Sequence, residues 1–132
     1  VDLFETAYPY VVASHGLALV FPVDFAAVMA GPASGAGDAS AGPGPGPLAQ
    51  DKMNLRDTAY RKDMSPILQG CGCFTCRRHT RGYIHHLLNT HEMLADVLLA
   101  AHNTVHYAAL FAAARAAIAA GALPAYRAAF AA

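Results

Sequence analysis

The sequence predicts a mostly helical chain with a few short strands, organised around a metal site. Three observations carry that reading. Apolar residues recur at spacings of three and four over residues 77–88, and again from Leu94 past Ala109. Short β-rich runs occur only in the first 25 residues and around Met53. Cys71, Cys73 and Cys76 stand together in one short loop.

Along the 132 residues, three parts are distinguishable. In residues 1–25, Val1-Asp2-Leu3-Phe4 reads as the middle of a buried strand. A free-standing domain rarely begins so, and the chain is therefore expected to be the C-terminal end of a longer protein. Tyr8-Pro9-Tyr10 reads as a turn. Tyr10–Ala13 and Leu17–Phe21 then flank Ser14-His15-Gly16, the pattern of a β-hairpin with a short glycine-containing loop. Residues 26–52 are rich in Gly, Pro and Ala. They offer almost no large apolar side chains to offset ordering entropy, so a flexible insertion without chemistry is expected. Residues 53–132 carry the information. Met53–Arg56 is expected to return as a strand onto the hairpin, and Arg61–Gly70 to loop into the cysteines.

Helices follow. Tyr83, Ile84, Leu87 and Leu88 predict one amphipathic helix over 77–88. Asn89-Thr90-His91-Glu92 resembles a capping box and predicts the start of the next. That helix runs through Leu94, Val97, Leu98, His102, Val105 and Ala109, with His102 on the same apolar face as Leu98, Val105 and Ala109, and stops near Gly121, with Pro124 shortly after. A last short helix is expected over 124–131. Asp96, His102, Asn103, His106 and Arg115 interrupt the apolar stretch from Leu94 to Ala120, which argues against a transmembrane segment.

Three cysteines are the wrong number for a disulfide framework, and their clustering points to a reducing compartment and a metal. Three soft thiolates suit zinc, and one neutral imidazole would complete a tetrahedron. Spacing alone leaves His79 and His102 level as the fourth ligand; His85, His86, His91 and His106 are weaker candidates, and His15 weaker still. A closed set of four ligands leaves no position for water, which makes the zinc structural.

Charge is balanced, with nine Lys and Arg against nine Asp and Glu, so no global pull toward nucleic acid exists. The local run Arg77, Arg78, His79, Arg81 is either a solvated helix start or a contact for RNA phosphates. His79, Tyr83, His86 and Leu87 form one stripe, which either packs on the long helix or receives a partner.

These motifs carry a resemblance. Cys71-x-Cys73-x-x-Cys76, His79-Thr80-Arg81-Gly82-Tyr83-Ile84-His85-His86-Leu87 and Ala101-His102-Asn103 resemble the zinc subdomain of tRNA-guanine transglycosylases. The resemblance covers nearly the whole chain outside the Gly-Pro insertion. It implies that His102, not His79, is the fourth zinc ligand. It also implies an α/β fold overall, the C-terminal part of a TIM (β/α)8 barrel with an inserted, mainly helical zinc subdomain, Val1–Phe4 being one of the last barrel strands.

The family exchanges guanine for a queuosine-type base at the tRNA wobble position. Its catalytic members carry a nucleophilic aspartate where this chain has Glu5, and arginine where it has Val11; Ser14-His15-Gly16 stands at their Arg-Asn-Gly. A carboxylate moved by roughly 1 Å can lose about a hundredfold in rate. Phe4-Glu5 with Pro9-Tyr10, Asn89–Ala95 and His106-Tyr107 are instead similar to the family's non-catalytic branch. The resemblance thus implies a non-enzymatic chain that forms a heterodimer with the catalytic subunit of a queuine tRNA-ribosyltransferase, with homodimers as an alternative. It implies tRNA reached through that complex; the basic run makes Arg77, Arg78 and Arg81 candidate RNA contacts, and the stripe His79, Tyr83, His86 and Leu87 is the candidate subunit interface. It further implies a cytoplasmic site of action, with scope for peripheral association with the mitochondrial outer membrane. Two rivals stand beside this reading: a catalytic subunit with Glu5 as nucleophile, and a stand-alone zinc-dependent RNA-binding module.

Overall fold

A computed structural model describes residue 3, residues 5–23 and residues 51–131. The expected Gly-Pro-Ala insertion falls almost wholly outside the described residues, as do Val1, Asp2 and Phe4 of the expected first strand. Leu3 is 87% exposed and belongs to no strand.

The described residues form two units, one with those up to Val20 together with Lys52–Tyr107, the other with the remainder. The first unit opens with helix α1, Tyr8–Ser14. This is where the expected hairpin is overturned. Pro9 sits in the first turn, where its missing N–H costs nothing. Pro9, Val12 and Ala13 are buried, a helical spacing rather than an alternating one. Gly16, at φ 77°, ends the helix rather than turning a hairpin. Strand β1, Leu17–Leu19, follows and pairs antiparallel with β2, Lys52–Asn54, in the register Leu17–Asn54, Ala18–Met53, Leu19–Lys52. The returning strand expected near Met53 is therefore present, and Leu55 N–H extends the pairing by donating to Gly16 O at 3.0 Å.

A 3-10 turn, Thr58–Tyr60, is capped by Asp57, whose carboxylate accepts from Ala59 N–H at 3.0 Å. The loop beyond it leads to the cysteines. Past them, the single expected helix is two. Helix α2, Phe74–Arg78, ends at His79, whose backbone is extended. Thr80 then caps α3, Arg81–Asn89, its hydroxyl accepting from Tyr83 N–H at 3.2 Å. A threonine that offers its oxygen to the new helix terminates the old register.

The next boundary also differs from expectation. Asn89 is the last residue of α3 and its side-chain amide meets His85 Nε2 at 2.8 Å, so it caps nothing that follows. His91 takes the left-handed conformation, φ 55°, and Glu92 N–H returns to Leu87 O at 3.0 Å, closing α3 with a Schellman turn. Helix α4 then runs Met93–Ala119. It ends in a second Schellman turn, with Gly121 at φ 65° and Ala122 N–H bonded to Ala117 O at 2.9 Å. Helix α5 covers Leu123–Ala131, close to the expected last helix.

The core of the first unit gathers Ala13, Ala18, Leu55, Ile67, Ile84, Leu87, Leu88, Ala95, Leu98 and Leu99. In the second unit Ala113, Ala117 and Tyr126 pack together, and Tyr126 O–H donates to Val23 O at 3.4 Å. The inner face of α4 departs from expectation. Ala95, Leu98, Leu99, His102, Asn103 and His106 are buried, while Val97 and Val105 are 59% and 48% exposed. By length and mean hydropathy alone α4 is able to cross a bilayer. In the fold, however, the ring of His102 and the amide of Asn103 are buried and bonded to backbone of the same unit.

Candidate metal centre

The cysteine loop is shaped by its own backbone. Cys73 is the N-cap of α2, and its sulfur accepts from Cys76 N–H at 3.3 Å. One turn of helix thus brings the second and third sulfurs to the same side. Thr75, fully buried between them, donates its hydroxyl to Leu98 O at 2.7 Å and fastens α2 onto α4.

On α4, His102 completes the set. Its Nδ1 lies 3.9 Å from Cys71 Sγ, 3.5 Å from Cys73 Sγ and 3.4 Å from Cys76 Sγ. All four donor atoms fall within 4.8 Å of one another. A tetrahedral zinc with ordinary Zn–S and Zn–N lengths needs sulfur-to-nitrogen separations of about 3.6 Å. The donor set therefore fits zinc in kind, number and spacing. The opposite ring nitrogen, Nε2, is 2.9 Å from Leu19 O and must donate to it. That bond fixes the tautomer and leaves the Nδ1 lone pair facing the sulfurs.

Burial sets the electrostatics. Desolvation pushes the Cys76 thiol up to about 12, with Cys73 beside it adding to the rise, and Cys71 is raised mainly by the same desolvation. Burial lowers His102, holding it as the neutral imidazole a metal requires. Thiols this reluctant to ionise become thiolates only in exchange for a cation, so metal uptake by this site releases protons. Four protein donors leave no open coordination position, and the chemistry such a centre supplies is structural.

His79, the rival fourth ligand, is occupied elsewhere. Its ring is stacked on Tyr83 with centroids 5.3 Å apart, and Phe74 meets it edge-on at 5.7 Å. Phe74 and Tyr83 are exposed, and so is His86. Leu87, expected on that surface stripe, is instead part of the core, because its position on α3 adjoins Ile84 and Leu88 on the inner side. Arg77 and Arg78 are exposed, whereas the Arg81 guanidinium pairs with Asp63 Oδ2 at 3.0 Å and donates to Ile67 O. Glu5 is exposed in irregular backbone ahead of α1.

Two partners of the site were not among the expected residues. Asn103 follows His102 and is fully buried, and Leu19 supplies backbone to both. The His-Asn pair in the sequence carried a signal for the first; nothing in the letters marks a carbonyl as a partner.

The model of the family described as queuine tRNA-ribosyltransferase matches residues 1–132. The chain belongs to that family. Among curated proteins, queuine tRNA-ribosyltransferase accessory subunit 2 of Danio rerio is 40% identical over 131 residues, covering 89% of this chain and 32% of that protein. The human protein of the same name is 33% identical, with 84% and 30% covered. That of Drosophila virilis is 36% identical, with 94% and 25% covered. The chain thus spans a third or less of the length of these members of the queuine tRNA-ribosyltransferase family.

Proposed function

We propose that this chain serves in the non-catalytic subunit of a heterodimeric queuine tRNA-ribosyltransferase, the enzyme that replaces guanine by queuine at the tRNA wobble position. The observation that carries the proposal is the exposed ladder Phe74–His79–Tyr83, built directly on the zinc loop and the helix that follows it. Zinc held by Cys71, Cys73, Cys76 and His102 fixes α2 against α4, and the ladder rides on that fixed base. Rigid aromatic groups with little entropy to lose are the residues that anchor subunit interfaces. The names of the relatives support the same role. Glu5 at the position of the family's nucleophile supports a subunit that leaves the chemistry to its partner. Arg77 and Arg78, exposed in the helix that begins at Phe74, are offered to tRNA phosphates, while Arg81 serves the loop. A thiolate centre of this kind fits a cytoplasmic complex.

The test is base exchange in tRNA by the full-length protein, alone and with a catalytic transglycosylase subunit. The expected result is no exchange alone, a stable one-to-one complex on mixing, and exchange by the complex. A covalent tRNA adduct trapped on Glu5 would convert the reading to that of a catalytic subunit. Absence of any complex, with RNA bound by the chain alone, would convert it to a stand-alone RNA-binding module.

A further inference from the structure

Both backbone polar groups of Leu19 are held by consecutive residues of α4. His102 Nε2–H donates to its carbonyl at 2.9 Å, and its N–H donates to Asn103 Oδ1 at 2.8 Å. The Asn103 amide has two further bonds, donating to Leu17 O at 3.0 Å and to Pro9 O at 3.2 Å. His102 and Asn103 are both fully buried, as is the Leu19 side chain. One asparagine thus holds the end of α1 and both ends of β1 against the helix that carries the fourth metal ligand.

We propose that Asn103 is a positioning residue for the metal centre, acting through the backbone of Leu19 to aim His102 at the cysteine loop. The argument is geometric. A ligating imidazole is oriented by the partner on its other nitrogen, and here that partner is a backbone carbonyl. A carbonyl is only as fixed as the backbone that leads to it. The N–H of the same residue, one Cα away, is held by Asn103, and Asn103 is fixed in turn by three backbone groups that its one acceptor and two donors satisfy together. Oδ1 must accept while Nδ2 donates twice, a pattern that aspartate cannot reproduce and leucine cannot approach. Reciprocally, zinc on Nδ1 strengthens the Nε2–H donor and tightens the hold on Leu19. Leu19 and the candidate ligand His102, 83 residues apart in the chain, then belong to one cooperative unit.

The decisive experiment follows metal release from the full-length protein, loaded with zinc or with cobalt as a spectroscopic probe, into excess chelator. Asn103→Asp keeps the acceptor and loses both donors. It is expected to release metal roughly 10- to 100-fold faster, in line with the usual cost of removing an outer partner of a metal ligand. The cobalt spectrum should shift as the imidazole loses its fixed orientation. Leu99→Ala, which destabilises the same core by about 2–5 kcal/mol without a bond to the ligands, serves as the control for lost stability and should accelerate release less than Asn103→Asp does. Equal release from Asn103→Asp and wild type, or equal acceleration by both variants, overturns the proposal. If Asn103→Asp does not load metal at all, amide exchange of the wild-type protein during chelation decides. The Leu19 amide is expected to open together with the Cys73–Cys76 loop and ahead of α5. Opening only after α5, or no change at all, overturns it.

Discussion

The imidazole of His79 lies stacked on the phenol ring of Tyr83, the two planes only 15° from parallel. Tyr83 is 40% exposed and Phe74 55% exposed, so the stack presents a firm apolar edge to solvent. Tyr83→Ala is expected to weaken association with the catalytic subunit by about 2 kcal/mol, roughly 30-fold. Zinc content should stay unchanged, because neither ring touches a ligand atom. Titration calorimetry beside metal analysis checks both halves, and an unaltered affinity with zinc intact removes the ladder from the interface.

Replacing a ligand gives the opposite pattern. Cys73→Ser or His102→Ala should leave less than one equivalent of zinc after chelator challenge, since three remaining protein donors give the fourth position to water and part of the metal's binding energy, which is folding energy, is lost. His79→Ala should keep a full equivalent. Atomic emission on the purified full-length variants distinguishes the two imidazoles, and zinc retained without His102 refutes the centre as described.

Gly82 sits where α3 crosses the loop before the cysteines, its N–H donating to Asp63 O at 2.7 Å. A Cβ there would lie 3.0 Å from Asp63 O and 3.3 Å from both Arg61 O and Tyr60 O. All three neighbours are backbone atoms with no rotamer to relieve the contact. Gly82→Ala is therefore expected to destabilise by about 1–3 kcal/mol. Helix propensity alone predicts a gain of about 1 kcal/mol. The sign of the change in thermal midpoint decides between them.

Asp63 knots the same loop. Burial alone would raise its carboxyl, but the Ser65 hydroxyl and amide, with the Arg81 guanidinium, outweigh that and hold it below its ordinary value. A carboxylate lowered on folding contributes stability that is complete above the unfolded value and is lost as pH falls through the folded one. Asp63→Asn should then cost about 1–3 kcal/mol, chiefly by leaving the partly buried Arg81 unpaired. The penalty should be the same at about pH 5.5 and pH 7.5, both well above the titration. Denaturant unfolding at the two values tests this, and a penalty that shrinks toward the lower pH contradicts it.

The parts of the fold that were legible are those set by neighbours in sequence. Three thiols in one loop announce a metal whatever surrounds them. The end of α4 at Gly121 follows from local backbone freedom and needs no tertiary knowledge. The misread elements were settled from a distance. Tyr10–Ala13 has strand-like letters, yet Pro9 in the first turn and burial of Val12 and Ala13 make it a helix. Asn89 looked like a cap, but its amide is taken by His85, whose Nδ1–H in turn donates to Leu55 O. The face of α4 shows the reason most clearly. Once His102 points at the cysteines, helical geometry sends Ala95, Leu98, Leu99, Asn103 and His106 inward and turns Val97 and Val105 out. Hydrophobic periodicity ranks residues by transfer free energy, and it cannot see that two polar side chains, His102 and Asn103, find backbone partners on the inner side.

Cys76 precedes His102 by 26 residues, so a ribosome makes the three sulfurs well before it makes the nitrogen that completes their set. At ordinary elongation rates that gap lasts a few seconds. During that interval the nascent chain offers a three-thiol loop open to oxidants and to softer metals. The imidazole that seals it arrives only with the helix that will carry it.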